Sequence, residues 1–401
     1  MIEIINKNKL FLFIIIILVG AIIRLYQINF NDFWSDEMVS YWLAEPTISF
    51  SETIQRIYSS NLMILFEILL KYFHIIFGYD VNHSRYFSFI LSFFSLIFFS
   101  ILLSKISNLK SALLGTFILS INIYHIGYSV ELRSYILTFL LVTLFIYFIF
   151  EKKKTKSDNF YLRIFLINCL GVLMILSHPF TLIVIGSYVI FCLLKFLKSR
   201  KMDKNSLKII LSLCVISLFF LIYYLKNTLA ALSGTGIMSG LSQNWIPQID
   251  LAFFSNFYFS KFFGSRLLGI IYLTTLLYCL FNFRNKILKE FNIYAFFVIL
   301  TLISYSVPLC FGYVFNPILI DRYIFFVLIP IICLISYFIF FIEPILVRYF
   351  IISLICLLTF FNNLLFESSF KQFYTDIYPG KPEIKKTIKY IGNQSYKDFT
   401  F

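Results

Sequence analysis

The chain has 401 residues, of which 60% are apolar and only 13% charged, and its mean hydropathy is +0.87. A water-soluble domain cannot enclose that much apolar surface, so lipid must be the solvent for most of the molecule. The net charge of +14 has no soluble basic domain to carry it, which argues against nucleic acid as a partner and for lysines and arginines that anchor loops at one membrane face.

In chain order, Lys7 and Lys9 precede an apolar run over 10–23. The run is long and no A-x-A cleavage site follows, so a retained first span over 10–28 is expected rather than a cleaved signal. A polar, aromatic-lined loop comes next and carries the adjacent acids Asp36 and Glu37. The segment 62–78 is short and places Glu67, Lys71 and His74 at helical spacing, which predicts an amphipathic helix on the membrane surface. Further spans of the required 17–25 residues are expected at 86–104, 109–127, 134–150, 162–177, 179–197, 207–225, 265–283, 291–311, 323–342 and 346–364. The predicted fold class is therefore an all-α polytopic membrane protein of about 11 transmembrane helices. Its first external loop carries amphipathic surface helices. The 52 Phe and 27 Tyr suit a hydrocarbon-facing surface with aromatic belts at its rims.

Loop charges fix the orientation. The clusters Lys105/Lys110, 152–156, 198–208, 284–289 and Arg348 all fall on one side only if 62–78 does not cross. By the positive-inside rule that side is the cytoplasm, shared with Lys7 and Lys9. The external segments are then 29–85, 128–133, a turn at His178, 226–264, 312–322 and a short tail over 365–401. The expected organisation is a transmembrane domain over 1–364. Within it the loop 29–85 is catalytic, and the Gly-rich loop 226–264 is a candidate lid. Asp36, Glu37, Arg85, Glu131, Arg133, His178, Trp245, Lys261, Asp321 and Arg322 then all fall at or near the outer face, which thus holds nearly every side chain able to do acid–base or phosphate chemistry.

Each has a plainer alternative. Asp36 and Glu37 fit the first turn of a helix behind Ser35. Glu131 and Arg133 could pair locally across a turn, His178 before Pro179 could be a polar turn residue, and Arg322-Tyr323 could be an interfacial anchor. Convergence on one face favours chemistry. The seven cysteines (169, 192, 214, 279, 310, 333 and 356) lie far apart in apolar segments and read as packing residues. The segment Gly234-Thr-Gly236-Ile-Met-Ser-Gly240 lacks a preceding strand and a following Lys-Ser/Thr, so it is not a nucleotide loop. No HExxH and no GxSxG occurs.

The ordered set Ser35-Asp36-Glu37, Asn61, Phe77-Gly78, Arg85, Ser129-Val-Glu131-Leu-Arg133-Ser-Tyr135, Ser177-His178 and Asp321-Arg322-Tyr323 to Pro330 resembles the GT-C superfamily of polytopic glycosyltransferases. Within it, the chain resembles bacterial relatives of the protein O-mannosyltransferases and the lipid A aminoarabinose transferase. Leu62-Met63 replaces a Pro-Pro common in those relatives, and a short tail over 365–401 is expected in place of the soluble periplasmic domain that many of them carry. Arg133 stands where the oligosaccharyltransferase branch carries a second acid, and it can supply the positive charge that a divalent metal otherwise would; no metal ligand is assigned. The resemblance implies transfer of a sugar from a polyprenyl-phosphate donor, held in the lipid, to a lipid- or protein-linked acceptor on the extracytoplasmic side of the cell membrane. It implies Asp36 as general base and Glu37 orienting the acceptor or a neighbouring cation. Arg85, Glu131, Arg133, His178, Lys261, Arg322 and Tyr323 are expected to bind substrate or phosphate. Two rival classes are an O-antigen-type polysaccharide polymerase or ligase, whose expected arginine-rich loop is missing from 226–264, and a transporter or flippase, which would carry ionisable residues near the membrane midplane.

Overall fold

The computed structural model describes residues 7–28, 32–60, 62–150, 160–200, 204–232, 246, 258–315 and 317–366. Among them every regular element is a helix. Each of the eleven expected spans coincides with an apolar helix or a helix pair. Among the described residues nine helices have the length and composition to cross a membrane, and a bent pair makes a tenth. The expected span at 134–150 is helix α8, Tyr135–Phe150, of 16 residues. At about 1.5 Å per residue it is about 24 Å long, shorter than a hydrocarbon core of about 30 Å.

Helix α1 (Lys7–Gln27) leads into the first loop, which is built of three helices: α2 (Ser35–Leu43), α3 (Phe50–Ser59) and α4 (Ile64–Phe77). Helix α5 (Val81–Ile106) starts at Asp80, whose carboxylate accepts from the backbone N–H groups of Asn82 and His83. The chain then reverses into the bent pair α6 (Leu109–Ser120) and α7 (Ile123–Ser129), which meet at 58°. Asn122 causes part of this break, because its side-chain oxygen caps α7 at the His125 N–H and its amide donates to Phe262 O, 2.8 Å each. Arg24 completes it. Fully buried, it donates to Ser120 O at 2.8 Å and to Gly20 O at 2.7 Å, and it also reaches His125 Nδ1 at 2.7 Å. A carbonyl freed by a helix break in lipid needs such a donor.

The same device recurs at two further helix ends. Arg163, on α9 (Phe160–Ser177), donates to Phe148 O and Ile149 O at the end of α8. Lys198, on α10 (Thr181–Ser199), donates to Leu288 O and Lys289 O at the end of the later helix Arg266–Glu290. Cations on helix C-termini satisfy orphan carbonyls and suit the helix dipole. The remaining elements are α11 (Lys204–Leu232), the single turn α12 (Tyr258–Lys261), α13 (Arg266–Glu290), α14 (Ile293–Val314), a 3-10 segment (Asp321–Val327) continuing into α15 (Leu328–Phe338), and α16 (Ile345–Phe366). The segment Asp321–Phe341 is the most enclosed of the apolar helices. Its Phe325 and Phe326 lie in a core with Phe99, Phe139, Phe296 and Phe297.

Contacts between helix ends gather the charged residues into two unlike ends of the molecule. One collects Lys105, Lys110, Arg163, Lys195, Lys198, Lys204, Lys208, Arg284, Lys286, Lys289 and Arg348. The other collects the first loop, the α7–α8 turn, the α9–α10 turn, α12 and Asp321–Tyr323. The expected cluster at 152–156, Asn61, Trp245, residues 233–245 and 247–257 of the expected lid, and the tail from 367 onward lie outside the described residues.

Helix α4 differs from the expected surface amphipath in which way it faces. Its polar residues Glu67, Lys71 and His74 are buried against the protein, while Tyr72, Ile75, Ile76 and Phe77 are exposed. Lys71 donates to Glu45 O at 2.6 Å and Ile48 O at 2.8 Å, and His74 bridges Ala44 O and Ser84 Oγ. The outward face is apolar, as a lipid-facing helix requires.

Candidate active site

The first turn of α2 holds both acids, where the partial positive charge of a helix N-terminus favours them. Their surroundings are unlike. Glu37 is fully buried and its carboxylate is saturated: Arg85 donates from Nε to Oε1 at 2.9 Å and from Nη2 to Oε2 at 2.8 Å. Leu132 N–H adds a bond to Oε1 at 2.9 Å, and Trp34 N–H a longer one to Oε2 at 3.4 Å. Arg85 comes from the first turn of α5, lies over the Phe33 ring, and also donates to Ile28 O and Asp32 O. This bidentate pair therefore ties the α1–α2 connection, α5 and the turn before α8 into one body.

Asp36 points the other way and is 32% exposed. Its Oδ2 lies 3.8 Å from Arg133 Nη2 and 3.7 Å from Arg322 Nη1, both beyond hydrogen-bond length. Two guanidiniums thus flank one half-open carboxylate. Arg133 also donates weakly from Nη1 to Asp36 O (3.3 Å) and Ser40 Oγ (3.4 Å). Burial opposes the charge on Arg133, but Tyr135, Asp36 and Glu67 outweigh it, so its pKa stands above the ordinary value. The sequence left open a local pair between Glu131 and Arg133. Instead the Arg133 guanidinium turns to Asp36, while its N–H donates to Glu131 O at 2.8 Å. Glu131 itself is buried in the turn.

His178 lies in the short turn between α9 and α10, packed against Tyr135, Phe180 and Tyr323 at ring-centroid separations of 5.9, 5.6 and 5.0 Å. Burial, helped by the charges of Arg133 and Arg322, holds its pKa down at about 3. It is therefore a neutral imidazole at physiological pH. Its Nδ1 accepts from Phe180 N–H at 3.3 Å, which assigns the proton to Nε2. Arg322 lies over Trp34 and beside Tyr323. Lys261 is at the rim, half exposed, 3.8 Å from Asp321.

The structure thus brings Asp36, Arg133, His178, Arg322 and Tyr323 into one cluster. It places Glu37 and Arg85 beneath that cluster and Lys261 at its edge. Sequence reasoning missed Ser40 and Glu67. Ser40 Oγ donates to Glu67 Oε1 at 3.0 Å, and burial pushes the Glu67 carboxyl up to about 7. The signal was present, since Glu67, Lys71 and His74 share one face of α4, but it was read as a face toward water. Among the described residues no group of three His, Cys, Asp or Glu side chains is arranged to hold a metal ion.

No protein-family model matches the chain, and no curated protein matches it. Among solved structures it is similar to the oligosaccharyltransferase of Archaeoglobus fulgidus, solved in complex with zinc and sulfate. The TM-score is 0.51 at 12% identity, over 96% of this chain and 56% of that one. The chain thus spans little more than half the length of that protein. The likeness shows the fold alone: this is an all-α polytopic membrane protein whose helices are arranged as in that structure.

Proposed function

We propose that the chain is a membrane glycosyltransferase that moves a sugar from a polyprenyl-phosphate donor to an acceptor hydroxyl at the extracytoplasmic face. The observation that carries this reading is the asymmetry of the acidic pair. Glu37 is consumed by structure, whereas Asp36 is kept half open between two arginines. The shared fold with an oligosaccharyltransferase supports the class, and the basic residues gathered at the opposite end support an outward-facing site.

In this reading the donor's lipid tail lies in the membrane and its phosphate sits at the rim of the bundle. Arg133 and Arg322 neutralise it there. Asp36 takes the proton of the acceptor hydroxyl as the oxygen attacks the anomeric carbon. The bond from that carbon to the phosphate oxygen breaks, and its electron pair stays on the phosphate. A direct displacement of this kind inverts the anomeric configuration. The neutral His178 offers an Nε2–H donor to the leaving oxygen, and Tyr323 forms an aromatic wall beside it. Glu37 acts as a positioning residue by orienting the neighbouring cation Arg85, and Glu131 holds the Arg133 turn. Arg133 and Arg322 supply the leaving-group stabilisation without a proton step.

Lipid mass spectrometry on cells lacking the chain, complemented with wild type or with Asp36→Asn, tests the proposal. A polyprenyl-phosphate sugar that accumulates in the null and in the mutant, and is cleared by wild type, is the expected outcome. Full complementation by Asp36→Asn with no accumulated carrier would remove the reading's main support.

A further inference from the structure

Helix α4 turns three polar residues inward, and two of them are spent on structure. Lys71 donates to two backbone carbonyls, and His74 uses both ring nitrogens on Ala44 O and Ser84 Oγ. Glu67 is different. It is 3% exposed, one oxygen accepts from Ser40, and the other, Oε2, has no hydrogen-bond partner. Ser40 in turn accepts from Arg133 Nη1 at 3.4 Å, and Arg133 Nε is also buried without a partner. A buried carboxyl with a spare oxygen therefore stands behind a phosphate-facing guanidinium, with one hydroxyl between them. Buried polar atoms are seldom left without partners unless the place has another use.

We propose that Glu67 is a positioning residue for the phosphate site, the buried counter-charge that limits how tightly Arg133 holds the lipid phosphate and so lets the product leave. This rests on the transferase reading above. The donor is a phosphodiester with one negative charge. The released polyprenyl phosphate is a monoester carrying about −1.5 to −2 at neutral pH. Two guanidiniums flanking Asp36 would therefore grip the product more strongly than the donor, which slows turnover. A carboxylate on the far side of Arg133 opposes that grip without occupying the site. With its pKa near 7, Glu67 is ionised under mildly alkaline conditions and serves in that form.

Equilibrium binding of a short-chain polyprenyl phosphate to the purified full chain at pH 8 tests this directly, with inorganic phosphate as a second probe. Glu67→Gln keeps an acceptor for Ser40 and removes the charge. It is expected to bind the lipid phosphate about threefold to tenfold more tightly than wild type. Glu67→Asp should stay close to wild type, and Arg133→Gln should bind weakly. In turnover, Glu67→Gln should show stronger product inhibition and a lower kcat without a raised donor KM, a split that a merely structural role would not give. If Arg133→Gln loses binding while Glu67→Gln matches wild type or binds more weakly, the role of Glu67 is overturned and the phosphate site stands. If Arg133→Gln binds as well as wild type, the phosphate site itself fails. Should Glu67→Gln not fold, Ser40→Ala removes the bridging hydroxyl and is expected to tighten binding in the same direction. Unchanged or weaker binding there would overturn the proposal.

Discussion

The two sides of the first turn of α2 present the same chemistry in opposite circumstances. On one side Glu37 is fully buried and meets Arg85 in two bonds of 2.8 and 2.9 Å. On the other, Asp36 is a third exposed and sees Arg133 and Arg322 only at 3.8 and 3.7 Å. A carboxylate whose lone pairs are filled by fixed donors can hold a structure together but can accept no further proton or hydroxyl. A carboxylate whose flanking cations stand beyond hydrogen-bond length still has room for a partner. The difference arises from what stands opposite each side chain, a single well-aligned guanidinium for Glu37 and two competing, offset ones for Asp36.

Substitution on each side should separate the two roles. Asp36→Asn is expected to lower turnover by about 10²–10⁴, the usual loss for a general base, with the thermal unfolding midpoint unchanged. Retention of more than half of wild-type turnover would exclude Asp36 from the chemistry. Glu37→Gln should do the reverse and act first on stability. It leaves Arg85 buried and half paired, a change that destabilises by about 3–5 kcal/mol. Unfolding in detergent would show it, together with reduced yield of folded protein. The double change Glu37→Met with Arg85→Met sharpens the contrast, because removing both charges should be less damaging than removing either one. If Glu37→Gln folds as well as wild type but loses transfer, the division between the two faces is wrong.

Much of this arrangement was legible in the sequence. Spans announce themselves because lipid demands long apolar runs, and each expected run coincides with an apolar helix or helix pair. The convergence of Asp36, Arg133, His178 and Arg322 followed from topology alone. The difference between Asp36 and Glu37 did not, since it depends on Arg85 48 positions away and on the Leu132 N–H 95 positions away. The break at Ser120 was also hidden, because an apolar run through 109–127 looks continuous until Arg24 and Asn122 are seen to satisfy the freed groups. Glu67 was misread for a physical reason. Helical periodicity shows that one face is polar, but not whether that face meets water or a protein interior.

That reversed face makes a third, smaller prediction. A carboxyl raised from 4.5 to about 7 on folding binds its proton more tightly in the folded state. By linkage the folded protein loses stability as pH rises from about 4.5 to 7, and the loss is complete above the folded value. The shift corresponds to at most about 3 kcal/mol. Glu67→Gln should therefore be more stable than wild type at pH 8 and lose that advantage near pH 4.5, which denaturation midpoints at the two pH values would reveal. An advantage independent of pH would mean that it does not come from ionising Glu67 in the folded protein.

The smallest effect should come from the rim, where the comparison between the faces no longer applies. Lys261 is half exposed and lies 3.8 Å from Asp321, a pair open to screening by salt. Exposed pairs of this kind contribute about 0–1 kcal/mol. Lys261→Ala is therefore expected to leave stability nearly unchanged and to alter turnover by about twofold or less, since a rim charge acts mainly on encounter. What change there is should fade as ionic strength rises. A tenfold loss that persists at high salt would instead bring Lys261 into direct contact with the phosphate. The site would then hold three cations around Asp36, and the leaving group would be stabilised from the α12 side as well as from Arg133 and Arg322.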